Sequence, residues 1–204
     1  MYFSKGNVMD IQSIEKYVIN LPERRDRLEQ VVNQLPYLFY NTAFSLKNGI
    51  KLNEPHKGIG QAHLSCISDA KALNLPYCII IEDDLLFQAK EKTIPYVTNA
   101  FNNVPDDWDI LLAGIYDGHP RKVNEYWAKV EQFCGLHFYC VNAKFYDKML
   151  QYDGSRHIDF WLGQVAKGNY YVTNQFFAIQ SEGYSDNVKK KVNYSDKLAH
   201  YKIL

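Results

Sequence analysis

CIIIEDDLLF, residues 78–87, sets three carboxylates directly behind an unbroken apolar run. The absence of polar alternation predicts a strand over 77–81 buried on both faces, as in a parallel sheet. Glu82, Asp83 and Asp84 then fall at its carboxyl-terminal end, the edge where open α/β sheets bind ligands. Two like charges ~5 Å apart repel by roughly 3 kcal/mol at an effective dielectric near 20, so the triplet needs a cation, hydrogen-bond donors or water. Hard carboxylate oxygens in that position suit Mg²⁺ or Mn²⁺, which is held by one or two carboxylates plus phosphates. The bland alternative makes Asp83 or Asp84 the cap of a helix running through LLFQAKEK, with the other acids facing water.

Outward from this strand, short apolar runs alternate with helical periodicity, the pattern of an α/β layer fold. Residues 13–20 (SIEKYVIN) read as a first strand, and Pro22 suits the start of a helix carrying Leu28, Val31, Val32 and Leu35 at helical spacing. Over 58–73, Ile59, Ala62, His63, Cys66, Ile67, Ala70 and Leu73 share one helical face that runs into Pro76. Further strands are expected over 108–115 and 135–141, and a helix from an Asn142 cap to Leu150. A short helix over 158–165 and a last strand over 170–180 complete the pattern. No repeat or low-complexity linker divides the chain, so one domain over 1–204 is expected. Its core spans about 13–187, and the polar tail 188–204, with Lys189 to Lys191, reads as a solvated end.

Lys plus Arg equals Asp plus Glu at 23 each, so no global field recruits nucleic acid or an anionic membrane. Cys66, Cys78, Cys134 and Cys140 show neither a CxxC pair nor zinc-finger spacing and read as reduced, buried thiols. The opening MYFSKGNVMD lacks the basic-then-apolar plan of a signal peptide, and no stretch approaches the ~20 apolar residues of a membrane span. The expected location is the cytoplasm, or the host cytosol for a virus-encoded chain, with peripheral attachment to a membrane left open.

Three more stretches could carry chemistry. In VINLPERRDRL, residues 18–28, Arg24, Arg25 and Arg27 crowd a helix's first turn, where the macrodipole disfavours cations by about 0.3–1 kcal/mol. Helical i,i+4 pairs with Glu23 and Glu29 would return only ~0.2–0.5 kcal/mol each, so Arg24 or Arg27 equally reads as a guanidinium clamp for phosphate oxygens. His63 lies on the apolar face of the helix leading into the acidic strand, where a lone histidine is commonly a satisfied core residue. His137, and His157 with Asp159 at the start of a short helix, are similar cases.

Taken in order, these stretches resemble glycosyltransferase family 25, the group of lipooligosaccharide and procollagen galactosyltransferases. VINLPERRDR is similar to its opening strand, with Asn20, Leu21, Arg24 and Arg27 at the matching places. GIGQAH (58–63) resembles its Gly-Cys-x-x-Ser-His element with Gly58 and His63 retained, while Ile59 and Ala62 replace the Cys and Ser. IIIEDD matches its acidic metal motif, WDILLAG the strand after it, HFYCVNAKFYDKML and HIDFWL its later strand, helix and aspartate, and FFAIQSEGYSD its closing strand. The likeness spans 18–187. It implies a GT-A type, Rossmann-like α/β fold with a central mostly parallel sheet, binding a UDP-sugar donor with Mn²⁺ or Mg²⁺.

On that likeness Asp84 is a metal ligand, with Asp83 at the metal or ribose and Glu82 in support, while Asn20, Leu21, Arg24, Arg27 and His63 face the donor. Asp159 is the candidate base of an inverting transfer of galactose or glucose. The acceptor implied is a saccharide, a lipid-linked glycan as in lipopolysaccharide biosynthesis, or a hydroxylated protein. A catalytically inactive nucleotide-sugar or glycan-binding module on the same fold is the alternative. A receiver-like Mg²⁺-binding signalling domain is a more distant one, since such domains place the acidic strand first.

Overall fold

The computed structural model describes residues 9–88, 90–185 and 189–204. The opening MYFSKGNV, Asp186 and Asn187 at the end of the family likeness, and residue 188 of the tail lie outside them. Eight strands form the central sheet: β1 Lys16–Asn20, β2 Ser45–Asn48, β3 Tyr77–Glu82, β4 Ile110–Leu112, β5 Arg121–Lys122, β6 Trp127–Val130, β7 Phe138–Asn142 and β8 Tyr170–Thr173. Their order is β2-β1-β3-β7-β4-β8-β6-β5. β1 pairs parallel with β2 and β3, and β4 with β8, while β7 runs against β3 and β4, and β6 against β8 and β5. The sheet is thus mostly parallel, with β6 and β7 alone reversed. That mixed order is not the all-parallel sheet of a receiver-like domain.

β3 is the central strand the apolar run predicts. Cys78, Ile79, Ile80 and Ile81 have no exposed surface, and their side chains alternate between two cores. Cys78 and Ile80 pack with the helices Pro55–Ala72 (α2), Tyr146–Met149 (α4) and Ile158–Trp161 (α5). Ile79 and Ile81 face the opposite core, which holds Val31 of α1 (Arg25–Val32) and Val97, Ala100 and Phe101 of α3 (Lys90–Phe101). Burying four such side chains at about 1.5–3 kcal/mol each anchors the strand whose end carries the acids. All four cysteines are free and buried, as their apolar surroundings imply. No described helix is long and apolar enough to cross a membrane.

Several boundaries differ from the sequence reading. The helix that the bland alternative places straight after the acids is displaced: Leu85–Phe87 forms a strand on Ala178–Gln180, and α3 starts only at Lys90. Neither Asp83 nor Asp84 therefore caps a helix. The expected 170–180 strand is two strands in different sheets, because Asn174 leaves β8 to cap the Asn124 and Glu125 carbonyls at 2.8 Å each. It is not the last, either. The tail read as a solvated end supplies Lys190–Val192, the hairpin partner of Gly183–Ser185, and a short helix, Ser195–Leu198 (α6), whose Leu198 is buried in the core. Residues beyond it hold on to Phe176, which donates its N–H to Lys202 O at 2.8 Å and accepts from Leu204 N–H at 3.0 Å.

Two glycines of α2 let the chain approach closely. A Cβ on Gly58 would lie 2.0 Å from Ile50 O, and one on Gly60 would lie 2.1 Å from the Tyr152 ring. Alanine inside a helix is ordinarily favoured over glycine by about 1 kcal/mol. At Gly58 the sign is expected to reverse, because the obstacle is backbone: Gly58→Ala lowers stability by about 1–3 kcal/mol, roughly 2–4 °C in the melting midpoint per kcal/mol for a chain of this length. A thermal melt showing Gly58→Ala at or above the wild-type midpoint would refute this close contact.

Candidate active site

The parallel strands β1, β2 and β3 end at one edge of the sheet, and there a cleft of about 940 Å³ opens. That is the size of a site enclosing a small organic ligand. Asn20 and Leu21 follow β1, and Gly49 to Asn53 follow β2. α2 adds Ile59, Ala62 and His63, and the start of α5 adds His157 and Asp159. The Lys189–Lys191 side of the hairpin closes the rim.

Within the acidic triplet each carboxylate has a different fate. Asp83 is fully engaged: its Oδ2 accepts from Asn20 Nδ2 at 2.7 Å and its Oδ1 from Arg27 Nη1 at 3.2 Å. Burial raises its pKa, and the Arg27 charge and the Asn20 bond oppose that. Glu82 Oε1 sits 3.0 Å from His63 Nε2, and His63 Nδ1 sits 2.7 Å from the buried Tyr139 hydroxyl. The arrangement suits a ring that carries its proton on Nε2 and accepts the Tyr139 hydroxyl at Nδ1. Burial pushes the Glu82 carboxyl up, but the His63 contact together with the charges of His137 and Arg27 outweighs it, and the carboxyl lies below its ordinary value.

Asp84 stands apart. Its Oδ2 accepts from Gln180 Nε2 at 2.8 Å and lies 3.6 Å from Arg27 Nη1, but its Oδ1 is buried with no hydrogen-bond partner among the described residues. Burial, and next the charge of Glu82, push its pKa up to about 7. A buried carboxylate oxygen left unpaired costs about 1–3 kcal/mol, more when charged. This is the atom a hard cation would satisfy. Among the described residues no three or more His, Cys, Asp or Glu side chains converge to hold an ion. The expected set of Asp84, Asp83 and Glu82 is therefore not assembled as one cage, since Asn20, Arg27 and His63 already occupy the other two acids. The residues present fit an ion held by Asp84 with oxygens of a phosphate ligand and water, the coordination Mg²⁺ favours.

The expected arginines also separate. Arg27, at the start of α1, joins Asp83 and Asp84 to the hairpin by donating through Nη2 to Tyr184 O at 2.6 Å. Arg24 forms a two-pronged pair with Asp26, at 3.0 Å and 2.8 Å, and does not line the cleft. The helix's own carboxylate thus answers part of the arginine crowding. His63 and Asp159 both line the cleft, but His63 reaches it through Glu82.

Asp159 accepts from Gly135 N–H at 3.2 Å and from Phe160 N–H at 2.8 Å. Burial raises its pKa against those two backbone donors, and the Glu82 charge adds to the rise. In sequence Lys189 to Lys191 read as a solvated end, because a run of three cations without apolar alternation is ordinarily a solvated face; the structure sets them on the cleft.

Solved structures share this frame. A197 from STIV aligns with a TM-score of 0.50 at 13% identity, over 88% of this chain and 93% of that one. A glycosyltransferase involved in the glycosylation of the major capsid of PBCV-1 aligns with a TM-score of 0.51 at 13% identity, over 78% of this chain and 80% of that one. The fold is of the GT-A type. An apo UDP-glucose pyrophosphorylase aligns with a TM-score of 0.48 at 10% identity, over 82% of this chain and 92% of that one. No protein-family model and no curated protein matches the sequence. At 13% identity the first two alignments establish the Rossmann-like α/β architecture and leave chemistry to the site.

Proposed function

We propose that the chain is a metal-dependent, inverting glycosyltransferase of the family 25 type, moving a hexose from a UDP-sugar to a hydroxylated acceptor. The observation that carries this reading is the buried Oδ1 of Asp84, without a partner among the described residues, at the carboxyl edge of the sheet in a cleft it shares with Asp159. Asp84 would hold Mn²⁺ or Mg²⁺. When bound, such an ion supplies Lewis-acid stabilisation of the departing diphosphate.

The chain's own residues account for the rest. Arg27 holds Asp83 and Asp84 in place and brings positive charge to the phosphate end of the cleft. Lys189, Lys190 and Lys191 line the same cleft and add to that field. Asp159 takes the proton of the acceptor hydroxyl as that oxygen bonds to the anomeric carbon. The bond from this carbon to the diphosphate breaks and UDP leaves with the electron pair. A carboxylate whose basicity is raised, yet which backbone N–H groups keep ionisable, suits that task.

The test is a panel of UDP-sugars, with UDP-galactose and UDP-glucose first, incubated with and without Mn²⁺. Slow donor hydrolysis that requires the metal is the expected result. A second reading, a binding module without turnover, is favoured by Ile59 and Ala62, which line the cleft where the family motif carries Cys and Ser. Binding of UDP and Mn²⁺ without hydrolysis or transfer under any donor would select it.

A further inference from the structure

A second cavity, of about 690 Å³, adjoins the cleft and shares Tyr116 and Lys197 with it. Two distant segments build it: Asp117 to Pro120, after β4, and Asp196 to Tyr201, at the chain's end. They are tied together. Tyr201 donates its hydroxyl to Gly118 O at 2.9 Å, Lys197 Nζ lies 3.5 Å from Asp117, and the same Nζ stands 5.2 Å over the Tyr116 ring. Tyr116 in turn packs against Tyr194 with ring centroids 4.6 Å apart and planes tilted by 32°, which makes an aromatic ridge between the two cavities.

The aliphatic part of this second cavity's wall is the Pro120 ring; among the described residues no Leu, Ile, Val or Met side chain lines it. The walls combine two tyrosines with Asp117, His119, Asp196 and His200. A wholly apolar ligand would offer no partner to the carboxylates and imidazoles of both segments. A second phosphate would meet two carboxylates against one ammonium, a repulsive balance. Two tyrosines set among side chains that both donate and accept fit a neutral polyhydroxylated ligand. Asp159 lies close enough to the ridge that its charge acts on Tyr116.

Resting on the transferase reading, we propose that this groove is the acceptor subsite for a saccharide of at least two sugar units. One unit presents its hydroxyl to Asp159 on the cleft side of Tyr116, and the next crosses the ridge and lies between the Asp117–Pro120 and Asp196–Tyr201 segments.

The test uses the full chain with Mn²⁺ and saturating UDP, probed by saturation-transfer NMR. The probes are mono-, di- and trisaccharides of galactose, glucose and N-acetylglucosamine. Saccharides of two or more units are expected to bind alongside UDP, at least about tenfold more tightly than the monosaccharides, a difference of about 1.4 kcal/mol. The double variant His119→Ala/His200→Ala changes two exposed side chains and is expected to remove that advantage, while calorimetry returns an unchanged Kd for UDP with Mn²⁺. Competition between saccharide and UDP, no gain with length, no binding by any probe, or a variant that binds like the wild type would each overturn the subsite. Failure of UDP to bind at all would instead sink the transferase reading, and calorimetry reports that separately.

Discussion

Asp84→Asn is expected to abolish metal-dependent turnover while leaving the fold intact or more stable. The loss follows from position: Asp84 is the acid of the triplet with an unengaged, buried oxygen, so it is the one whose charge a cation can share. Electrostatic stabilisation of a leaving diphosphate is worth several kcal/mol, and about 4 kcal/mol corresponds to roughly a 10³-fold fall in rate. The stability effect has the opposite sign. An acid whose pKa is raised in the folded state, here to about 7 by burial and then by Glu82, destabilises the metal-free fold as pH rises from its unfolded value of ~3.9 toward 7, and fully above that. Asparagine carries no charge and ends the repulsion with Glu82 and Asp83. At pH 8 without metal the variant is therefore expected to melt at or above the wild-type temperature. UDP with Mn²⁺ at about 100 times Kd stabilises the wild type by ~2.7 kcal/mol, roughly 5–10 °C, and this shift is expected to vanish in the variant. A variant that keeps both the shift and the turnover would remove Asp84 from the metal role.

How far the sequence foretells this site depends on the range of the interactions that build it. β3, its burial on both faces and the placing of the acids at a strand end are local properties, because an apolar run of that length can only be buried. The Asn142 cap is local too, and the structure shows its side chain accepting from Lys144 N–H at 3.2 Å. The division of labour within the triplet is not local. Asn20 lies 63 residues from Asp83, and Gln180 lies 96 from Asp84. Three adjacent acids look equivalent until partners from β1, α1, α2 and the Ala178–Gln180 strand are brought up to them. The short strands β5 and β6 carry too little alternation to be read, and β2 is a half-exposed edge. In the tail, Leu198 and the Phe176 pairing hold a polar segment whose composition alone predicts solvation.

Asp159→Asn is expected to lower transfer by about 10²–10⁴-fold with the Kd for UDP and Mn²⁺ unchanged. The choice of base turns on a contrast between two cleft carboxylates that feel each other's charge. Burial and the Glu82 charge raise Asp159, whereas Glu82 is lowered, because the His63 contact and the His137 and Arg27 charges together outweigh its burial. Environments that push two acids apart assign them different tasks, and the more basic of the pair is the better proton acceptor. Asparagine keeps one oxygen for the backbone donors and leaves either Gly135 N–H or Phe160 N–H unpaired, which costs about 1–3 kcal/mol of stability. A melting curve separates that structural loss from the kinetic one. The acid limb of the wild-type rate profile is expected above the ordinary aspartate value of ~3.9, since protonation of Asp159 removes the acceptor lone pair. Full transfer by Asp159→Asn together with its loss in Glu82→Gln would move the base to Glu82, held by His63 and Tyr139 from behind.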